Sequence, residues 1–297
     1  MYETDRLPKD WVNKLAIFDE IWVPTTFHVG TFSKSGVDAS RLFVLPEAID
    51  TSFFDPEAAS QVSRDNDSSS FSFLSVFKFE ERKNWKGLLK AFLTEFGNSE
   101  KVRLVIKTSG FHETRSIADQ IDSFLSRTIG SNVTLRGLQS ENRIEIISKS
   151  LSQEEMRDLY KRSGAFVLPS RGEGWGRPHA EAMAMALPVI ATNFSGNTAF
   201  MNANNSLLVS VERMVRRDPQ DSEGHRWAEP SQRSLQDRMR WCVEYPEKGR
   251  EIGRRAREYM TRHYSRDVVS KLVMERIGEL TSTTHTGRRE AHSKAEL

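Results

Sequence analysis

The sequence predicts an α/β fold built on a doubly wound parallel sheet. Short runs rich in Val, Ile, Leu and Phe recur along the chain, and their nearly continuous apolar character is typical of strands buried on both faces of a parallel sheet. Segments with helical patterning separate these runs, and such alternation favours a doubly wound sheet. Ligands bind beyond the carboxyl ends of the strands in sheets of this kind, so the loops that follow strands are the candidate sites.

Six runs predict strands and four segments between them predict helices. The strands are expected at residues 42–45, 73–77, 104–106, 144–147, 165–168 and 189–191. The helices are expected at residues 85–96, 114–128, 153–161 and 178–185. In the third helix, Met156, Leu159 and Tyr160 recur at helical spacing and Ser152 is placed as the N-cap. We therefore assign residues 41–246 to the main domain.

The remaining segments differ in composition. Residues 60–70 and 218–230 are polar and predict surface loops, the second of them anchored by Trp227. Residues 247–277 carry a long charged helical pattern. Residues 278–297 are rich in Thr, Ser, Gly, Arg and Lys, which predicts a disordered tail.

The first 40 residues have the pattern of an interrupted unit. Trp11, Leu15 and Phe18 are spaced as in a helix, and the run Ile21-Trp22-Val23 follows as a candidate strand. A helix followed by a strand is typical of the end of an α/β unit. We therefore interpret residues 1–40 as the remnant of another domain together with a linker.

Composition excludes several functions. The net charge of +2, from 43 basic and 41 acidic residues, lacks the basic surplus of a nucleic-acid-binding protein. Cys242 is the only cysteine, and the seven histidines show no metal-ligand spacing, so we predict neither a disulfide nor a metal site. The start has no signal-peptide pattern and no apolar run approaches the ~20 residues of a membrane span. These observations predict a cytoplasmic protein.

The most informative segment is SRGEGWGRPHAE, at residues 170–181. It follows the predicted strand 165–168 and begins a helix, whose free first-turn N–H groups can bind an anion. Its glycines allow close approach of the backbone to a ligand, and Pro178 suits the first helical turn. Glu173 and Glu181 can each accept hydrogen bonds from neighbouring hydroxyls, which suits a ligand that carries both diols and phosphates. A pair of glutamates considered by itself more often has a structural explanation, with Glu173 as a solvated loop residue and Glu181 as a side chain that complements the helix dipole.

A second charged segment, KFEERKNWKG, follows the predicted strand 73–77. Its basic side chains can reach a pyrophosphate at the carboxyl edge of the sheet, where lysine acts as a point charge and arginine as a bidentate fork. A solvated charged turn is the alternative for such a run when it is considered alone.

Taken together, these segments resemble one known family. IWVPTTFHVGTFSKSGV, LPEAID, FKFEERKNWKGLLKAF and VLPSRGEGWGRPHAEAMAMALPVIATNFSG are similar to the corresponding motifs of glycosyltransferase family 4, the group 1 glycosyltransferases. The resemblance covers about residues 19–196 and extends more loosely into the C-terminal helical region. It implies the C-terminal half of a GT-B architecture, with a Rossmann-like nucleotide-sugar-binding domain at 41–246 and crossing helices at 247–277.

The resemblance assigns roles to four charged residues. Glu173 matches the glutamate that binds donor-sugar hydroxyls, and Glu181 matches the one that binds the ribose. Lys83 matches the lysine that neutralises the donor pyrophosphate, and with Glu173 it forms the expected catalytic set. Lys78 replaces the family's usual arginine, which keeps the charge but removes the bidentate geometry.

Further donor contacts follow from the same resemblance. Gly174, Trp175 and Gly176 match the loop that passes near the phosphates and the sugar. Ile147 and Ser148 match the strand end that holds the base, mostly through the backbone. Ala186 replaces a usual glycine, which we interpret as a minor packing change.

The expected function is retaining transfer of a hexose from a nucleotide diphosphate sugar to an unknown acceptor, without a cofactor. The alternative is a truncated module that binds nucleotide sugar without turnover, since the resemblance includes only about Tyr2 to Val23 of the N-terminal domain. A phosphorylase or sugar epimerase of GT-B fold is a third reading. The missing domain would be a partner, or the chain would self-associate.

Overall fold

The computed structural model describes residues 2–58, 70–98, 100–110 and 115–295. The chain begins with a small unit of two helices and two strands. Its elements are α1 (Lys9–Leu15), β1 (Ile21–Val23), α2 (Thr26–Lys34) and β2 (Leu42–Val44). The two strands pair in parallel with each other, and residues such as Val23, Phe32 and Val37 form a small core separate from the main one.

The main domain is a six-stranded parallel sheet covered by helices, so the predicted doubly wound α/β fold is confirmed. Its strands are β3 (Phe71–Phe79), β4 (Val102–Gly110), β5 (Ile144–Ile147), β6 (Ala165–Leu168), β7 (Val189–Thr192) and β8 (Leu207–Val209). They lie in the order β5-β4-β3-β6-β7-β8. Every residue of β6 and β7 is buried, as expected for strands covered on both faces.

The helices that cover this sheet agree closely with the prediction. They are α3 (Trp85–Glu95), α4 (Ile117–Thr128), α5 (Leu135–Ser140), α6 (Gln153–Lys161) and α7 (Arg177–Ala184). Helix α6 begins with a capping box, in which the Ser152 hydroxyl accepts from the Glu155 N–H and the Glu155 carboxylate accepts from the Ser152 N–H. The short helix α5 is not predicted from the sequence pattern.

Three further helices complete the chain: α8 (Gln232–Glu244), α9 (Pro246–Tyr264) and α10 (Arg266–Ala295). Helix α10 lies against the first unit, where the Arg276 guanidinium donates to Glu20 and sits 4.4 Å from the ring centroid of Phe43. The same helix occupies residues 278–295, where the sequence analysis expects disorder. Among the described residues, no helix combines the length and apolarity that a membrane crossing requires.

Three further features differ from the prediction. Strand β8 (Leu207–Val209) is not among the strands predicted from the sequence. The run at 42–45 does not join the main sheet: β2 pairs only with β1, so a boundary at 40/41 falls inside the first unit. The segment 218–230 contains part of an antiparallel hairpin, formed by β9 (Val211–Arg216) and β10 (Arg226–Pro230), with Trp227 buried as expected. The two strands of this separate sheet have no continuous apolar run, so local patterning does not reveal them. Of the predicted loop 60–70, all but Ser70 lies outside the described residues.

Candidate functional site

The centre of the sheet creates a crevice. The chain runs outward through β3, β4 and β5, and then returns to place β6 beside β3. Ligands of doubly wound sheets bind at the carboxyl end of such a switch point. The two loops that leave the sheet there are the β3–α3 turn and the β6–α7 loop, which carry the two charged segments identified from the sequence.

The β3–α3 turn is fixed by its own backbone and by ring packing. Residues Glu81–Lys83 form one turn of 3-10 helix, and Asn84 follows in the left-handed region at φ 53°, which asparagine tolerates better than most residues. The rings of Phe79 and Trp85 stack at 4.6 Å on either side of the turn. This packing places Lys83 facing inward, with only 8% of its surface exposed.

The β6–α7 loop requires glycine at its end. Gly176 has φ +107° immediately before α7, where a side chain would be strained. The loop also contacts the segment after β7: the Glu173 N–H donates to Ser195 Oγ at 2.7 Å, and the Gly196 N–H donates to the Glu173 carbonyl at 3.0 Å. A Cβ on Gly196 would lie 2.0 Å from the Gly174 carbonyl oxygen, so this close approach is possible only for glycine.

Lys83 and Glu173 form a buried ion pair across the crevice. Lys83 Nζ lies 2.7 and 2.9 Å from the two carboxylate oxygens of Glu173. Burial by itself raises the pKa of Glu173, but the charges of Lys83 and Arg82 lower it to about 2. The carboxylate is therefore ionised at neutral pH although only 4% of the residue is exposed.

Arg82 is a site residue that the sequence analysis missed. Its Nη1 donates to the Gly172 carbonyl at 2.7 Å and lies 3.4 Å from the Glu173 carboxylate, while its Nη2 donates to Glu80 at 2.7 Å. It belongs to the same charged run as Lys78 and Lys83. Its position in that run was the signal by which it could have been found, but the run does not indicate which of its basic side chains is buried.

Glu181 lies in α7 with different partners. The Tyr160 hydroxyl donates to its carboxylate at 2.9 Å, and Arg177 Nε lies 3.8 Å away. Burial raises the pKa of Glu181, although these two partners oppose the shift. Its side chain keeps 17% of its surface exposed, so the carboxylate can still accept a hydrogen bond from a ligand.

The other predicted donor residues are spread along the carboxyl edge. Lys78 lies near the end of β3 with an exposed side chain, and Ser148 is exposed just beyond β5, two strands away. Ile147 is buried in β5 itself. Trp175 is 1% exposed and its ring packs against Phe200 at 4.8 Å, so the side chain belongs to the core and does not face a ligand.

Two residues near α7 have unusual environments. His179 is fully buried, as expected for a packed histidine, and burial lowers its pKa to about 4. The sequence predicts that alanine in place of glycine at position 186 is a minor packing change. In the structure Ala186 has φ 56°, so the change concerns the backbone instead. An alanine here adopts a left-handed conformation that glycine takes without strain.

Other candidate sites are absent or lie apart. The described residues contain no cluster of His, Cys, Asp and Glu that could hold a metal ion. A groove of about 790 Å³ is lined by Pro56, Glu57, Ala186 and the α9 side chains Glu247, Arg250, Arg254, Arg257, Glu258, Thr261 and Arg262. None of the predicted donor residues lines this groove.

Comparison with known proteins agrees with this geometry. Residues 70–217, about half of the chain, match the model of the family described as glycosyl transferases group 1. HepE from Anabaena, solved with UDP and glucose, matches with a TM-score of 0.70 and 15% identity over 90% of this chain and 65% of its own. A glycosyltransferase from Rickettsia africae matches with a TM-score of 0.71 and 16% identity over 95% and 69%. No curated protein matches the chain.

A third structure relates the chain to a single domain. The C-terminal domain of the group 1 glycosyl transferase LpcC from Francisella tularensis matches with a TM-score of 0.54 and 17% identity, over 73% of this chain and 99% of that domain. At such identities the likeness shows the fold, which is that of the GT-B glycosyltransferases. The chain spans about two thirds of the length of HepE.

Proposed function

We propose that this chain, whose residues 70–217 form a group 1 glycosyltransferase domain, binds a nucleotide diphosphate sugar in the crevice between β3 and β6. The observation that carries the proposal is the buried Lys83–Glu173 pair at the switch point. Removing two charges from water is costly, and such a pair is weak evidence for a purely stabilising role. In a ligand crevice, such a pair can bind a ligand that carries both phosphates and hydroxyls, because the ammonium donates to phosphate and the carboxylate accepts from hydroxyls.

The pair can serve both ends of such a ligand. An ammonium has three N–H donors, and two of those on Lys83 go to Glu173, so one can reach a phosphate oxygen. The Glu173 carboxylate has further lone pairs for two sugar hydroxyls. The N–H groups of Arg177 and His179 at the start of α7 would add a second source of positive charge for the diphosphate. Lys78 provides a further cation at the end of β3.

The chemistry we propose is transfer of a hexose with retention of configuration, as in family 4. As the bond between the sugar and the diphosphate breaks, negative charge grows on the leaving phosphate. In this proposal Lys83 and the α7 N–H groups stabilise that charge, which is the main requirement of the step. Glu173 would hold the sugar and Glu181 the ribose, while the backbone at Ile147 and Ser148 would face the base. We propose a cytoplasmic location as well, and the proposal leaves the acceptor open.

The experiment is a pair of glutamate variants in a binding assay. Glu181→Gln should weaken the binding of a nucleoside diphosphate and of its sugar conjugate alike, whereas Glu173→Gln should weaken only the binding of the conjugate. Isothermal titration with uridine, guanosine and adenosine diphosphates and their hexose conjugates measures both. Glu212→Gln, on the exposed face of β9, is the matched control. If both variants lost affinity for the bare nucleotide equally, the roles proposed for Glu173 and Glu181 would be wrong.

A second candidate is nucleotide-sugar binding without transfer by this chain alone. The first unit has one two-stranded sheet, with Phe18 and Trp22 exposed, and Met274 of α10 is exposed as well. Exposed apolar groups of this kind favour contact with a complementary domain or with a second copy. Size-exclusion chromatography together with a transfer and donor-hydrolysis assay separates the two. A monomer that transfers sugar unaided would contradict this second candidate.

A further inference from the structure

Arg171 connects three separate segments around the crevice. Its Nη1 donates to the Glu81 carbonyl at 2.6 Å in the β3–α3 turn. Its Nε and Nη2 donate to the two carboxylate oxygens of Glu229 in β10, at 2.8 and 3.2 Å. Such two-point contact between a guanidinium and a carboxylate fixes the orientation of both groups. The side chain is only 12% exposed, so water screens these contacts weakly.

The contact between the two crevice loops is reciprocal. The Arg171 N–H donates to the Arg82 carbonyl at 2.8 Å, while the Arg82 guanidinium donates to the Gly172 carbonyl at 2.7 Å. Each loop thus supplies an arginine side chain to a carbonyl of the other. The β10 strand joins from outside, because the Ala228 N–H donates to the Arg171 carbonyl at 2.9 Å.

Arg171 is separated from Glu173 by one residue. A Cβ on the intervening Gly172 would lie 2.3 Å from the carbonyl oxygen of Glu3, so the loop is held between the N-terminal segment and the β3–α3 turn. In this confined loop, a shift of the backbone at Arg171 must move Glu173 relative to Lys83. A displacement of a few tenths of an ångström is enough to lengthen the 2.7 Å contact of that pair.

We propose that Arg171 is a positioning residue that acts through Glu173, with the β9–β10 hairpin as its outer support. The inference rests on the proposed function, because it assigns to Arg171 the task of keeping the sugar-binding carboxylate aligned with the phosphate-binding lysine. It also gives the hairpin a role: Glu229 orients the guanidinium, and Ala228 holds the Arg171 carbonyl.

The first test needs no ligand. Hydrogen–deuterium exchange of Arg171→Ala should show faster exchange in residues 80–84 and 170–176, by about tenfold or more, because loss of cross-links lowers the free energy of local opening. Glu229→Gln should give a smaller change in the same segments. Arg250→Ala, an exposed arginine of α9 that pairs with Glu247, is the control and should give none. Unchanged exchange in both segments of Arg171→Ala would overturn the proposal.

The second test is a double-mutant cycle with the nucleotide diphosphate sugar that the wild-type chain binds best. Arg171→Ala should weaken its binding about tenfold when Glu173 is present, but less than about twofold in the Glu173→Gln background. Arg171→Lys should recover part of the affinity. An equal loss in both backgrounds would mean a general structural effect and would overturn the positioning role. A wild-type chain that binds no nucleotide sugar overturns the proposed function instead, and the exchange experiment still decides whether Arg171 braces the loops.

Discussion

Replacement of Lys83 by methionine measures how much its ion pair with Glu173 contributes to the stability of the fold. Methionine is similar in length, so the substitution removes the charge while leaving little empty volume. Glu173 would then remain buried with Arg82 as its nearest cation, 3.4 Å away. Because an ionised carboxylate that loses its partner in the interior is strongly unfavourable, we expect the variant to be less stable at neutral pH.

The magnitude follows from the pKa of Glu173. Although burial alone would raise this pKa, the neighbouring charges lower it from its ordinary value of 4.5 to about 2. That drop corresponds to roughly 3 kcal/mol of stability at neutral pH, which is present above pH 4.5 and is lost as the pH falls toward 2. Arg82 retains part of the effect, so Lys83→Met should lower the free energy of unfolding by about 2–3 kcal/mol at pH 7. The deficit should shrink as the pH falls from 4.5 toward 2, because the stability that the wild-type chain gains from ionised Glu173 is lost over that range.

Urea unfolding at pH 7 and pH 3 measures this effect, with circular dichroism as the probe. The control is the double variant Lys83→Met/Glu173→Gln, in which no buried charge is left unpaired, and it should recover at least about half of the loss. Should Lys83→Met match the wild-type free energy of unfolding within about 0.5 kcal/mol at pH 7, the ion pair is not buried as described and the reasoning is refuted.

Three further predictions concern α7 and its surroundings. Tyr160→Phe should weaken nucleoside diphosphate binding about threefold to tenfold, because Glu181 loses the hydroxyl that orients it; unchanged affinity in isothermal titration would contradict this. Ala186→Gly should raise the free energy of unfolding by about 0.5–1 kcal/mol, since glycine adopts the left-handed backbone without strain; a loss of stability in urea would count against it. The buried His179 has a pKa lowered to about 4, so its contribution to stability is complete above pH 6.5 and declines as the pH falls toward 4. His179→Leu should therefore flatten the dependence of stability on pH in that window by up to roughly 3 kcal/mol, and a profile as steep as that of the wild-type chain would exclude this role.

The sequence by itself determined five of the six strands of the main sheet, all except β8, and the location of the crevice. Strands such as β6 and β7 are contiguous apolar runs because both faces of the sheet are covered, and local composition records that directly. The helices between them carry their own caps and periodicity, as Ser152 does for α6. Since ligands of such sheets bind after the strands, the two charged loops could be identified without knowledge of their contacts.

Which charges meet was decided only by the tertiary structure. Lys83 and Glu173 are 90 residues apart, and the run from Lys78 to Lys83 contains three cations that local patterning cannot rank by burial. Folding sorts them: Lys83 and Arg82 turn toward Glu173, while the Lys78 side chain is exposed. The same holds for Ser195, whose hydroxyl accepts from the Glu173 N–H across 22 residues.

The pairing of the strands outside the main sheet could not be predicted from the sequence either. The β9–β10 hairpin has no continuous apolar run, and it becomes recognisable only through pairing and through the contacts of Glu229 and Ala228 with Arg171. The strand β2 has the apolar character of the main sheet but pairs with β1. Periodicity reports which face of an element is buried, whereas the partner of that face depends on contacts between distant segments, and these exist only once the chain is folded.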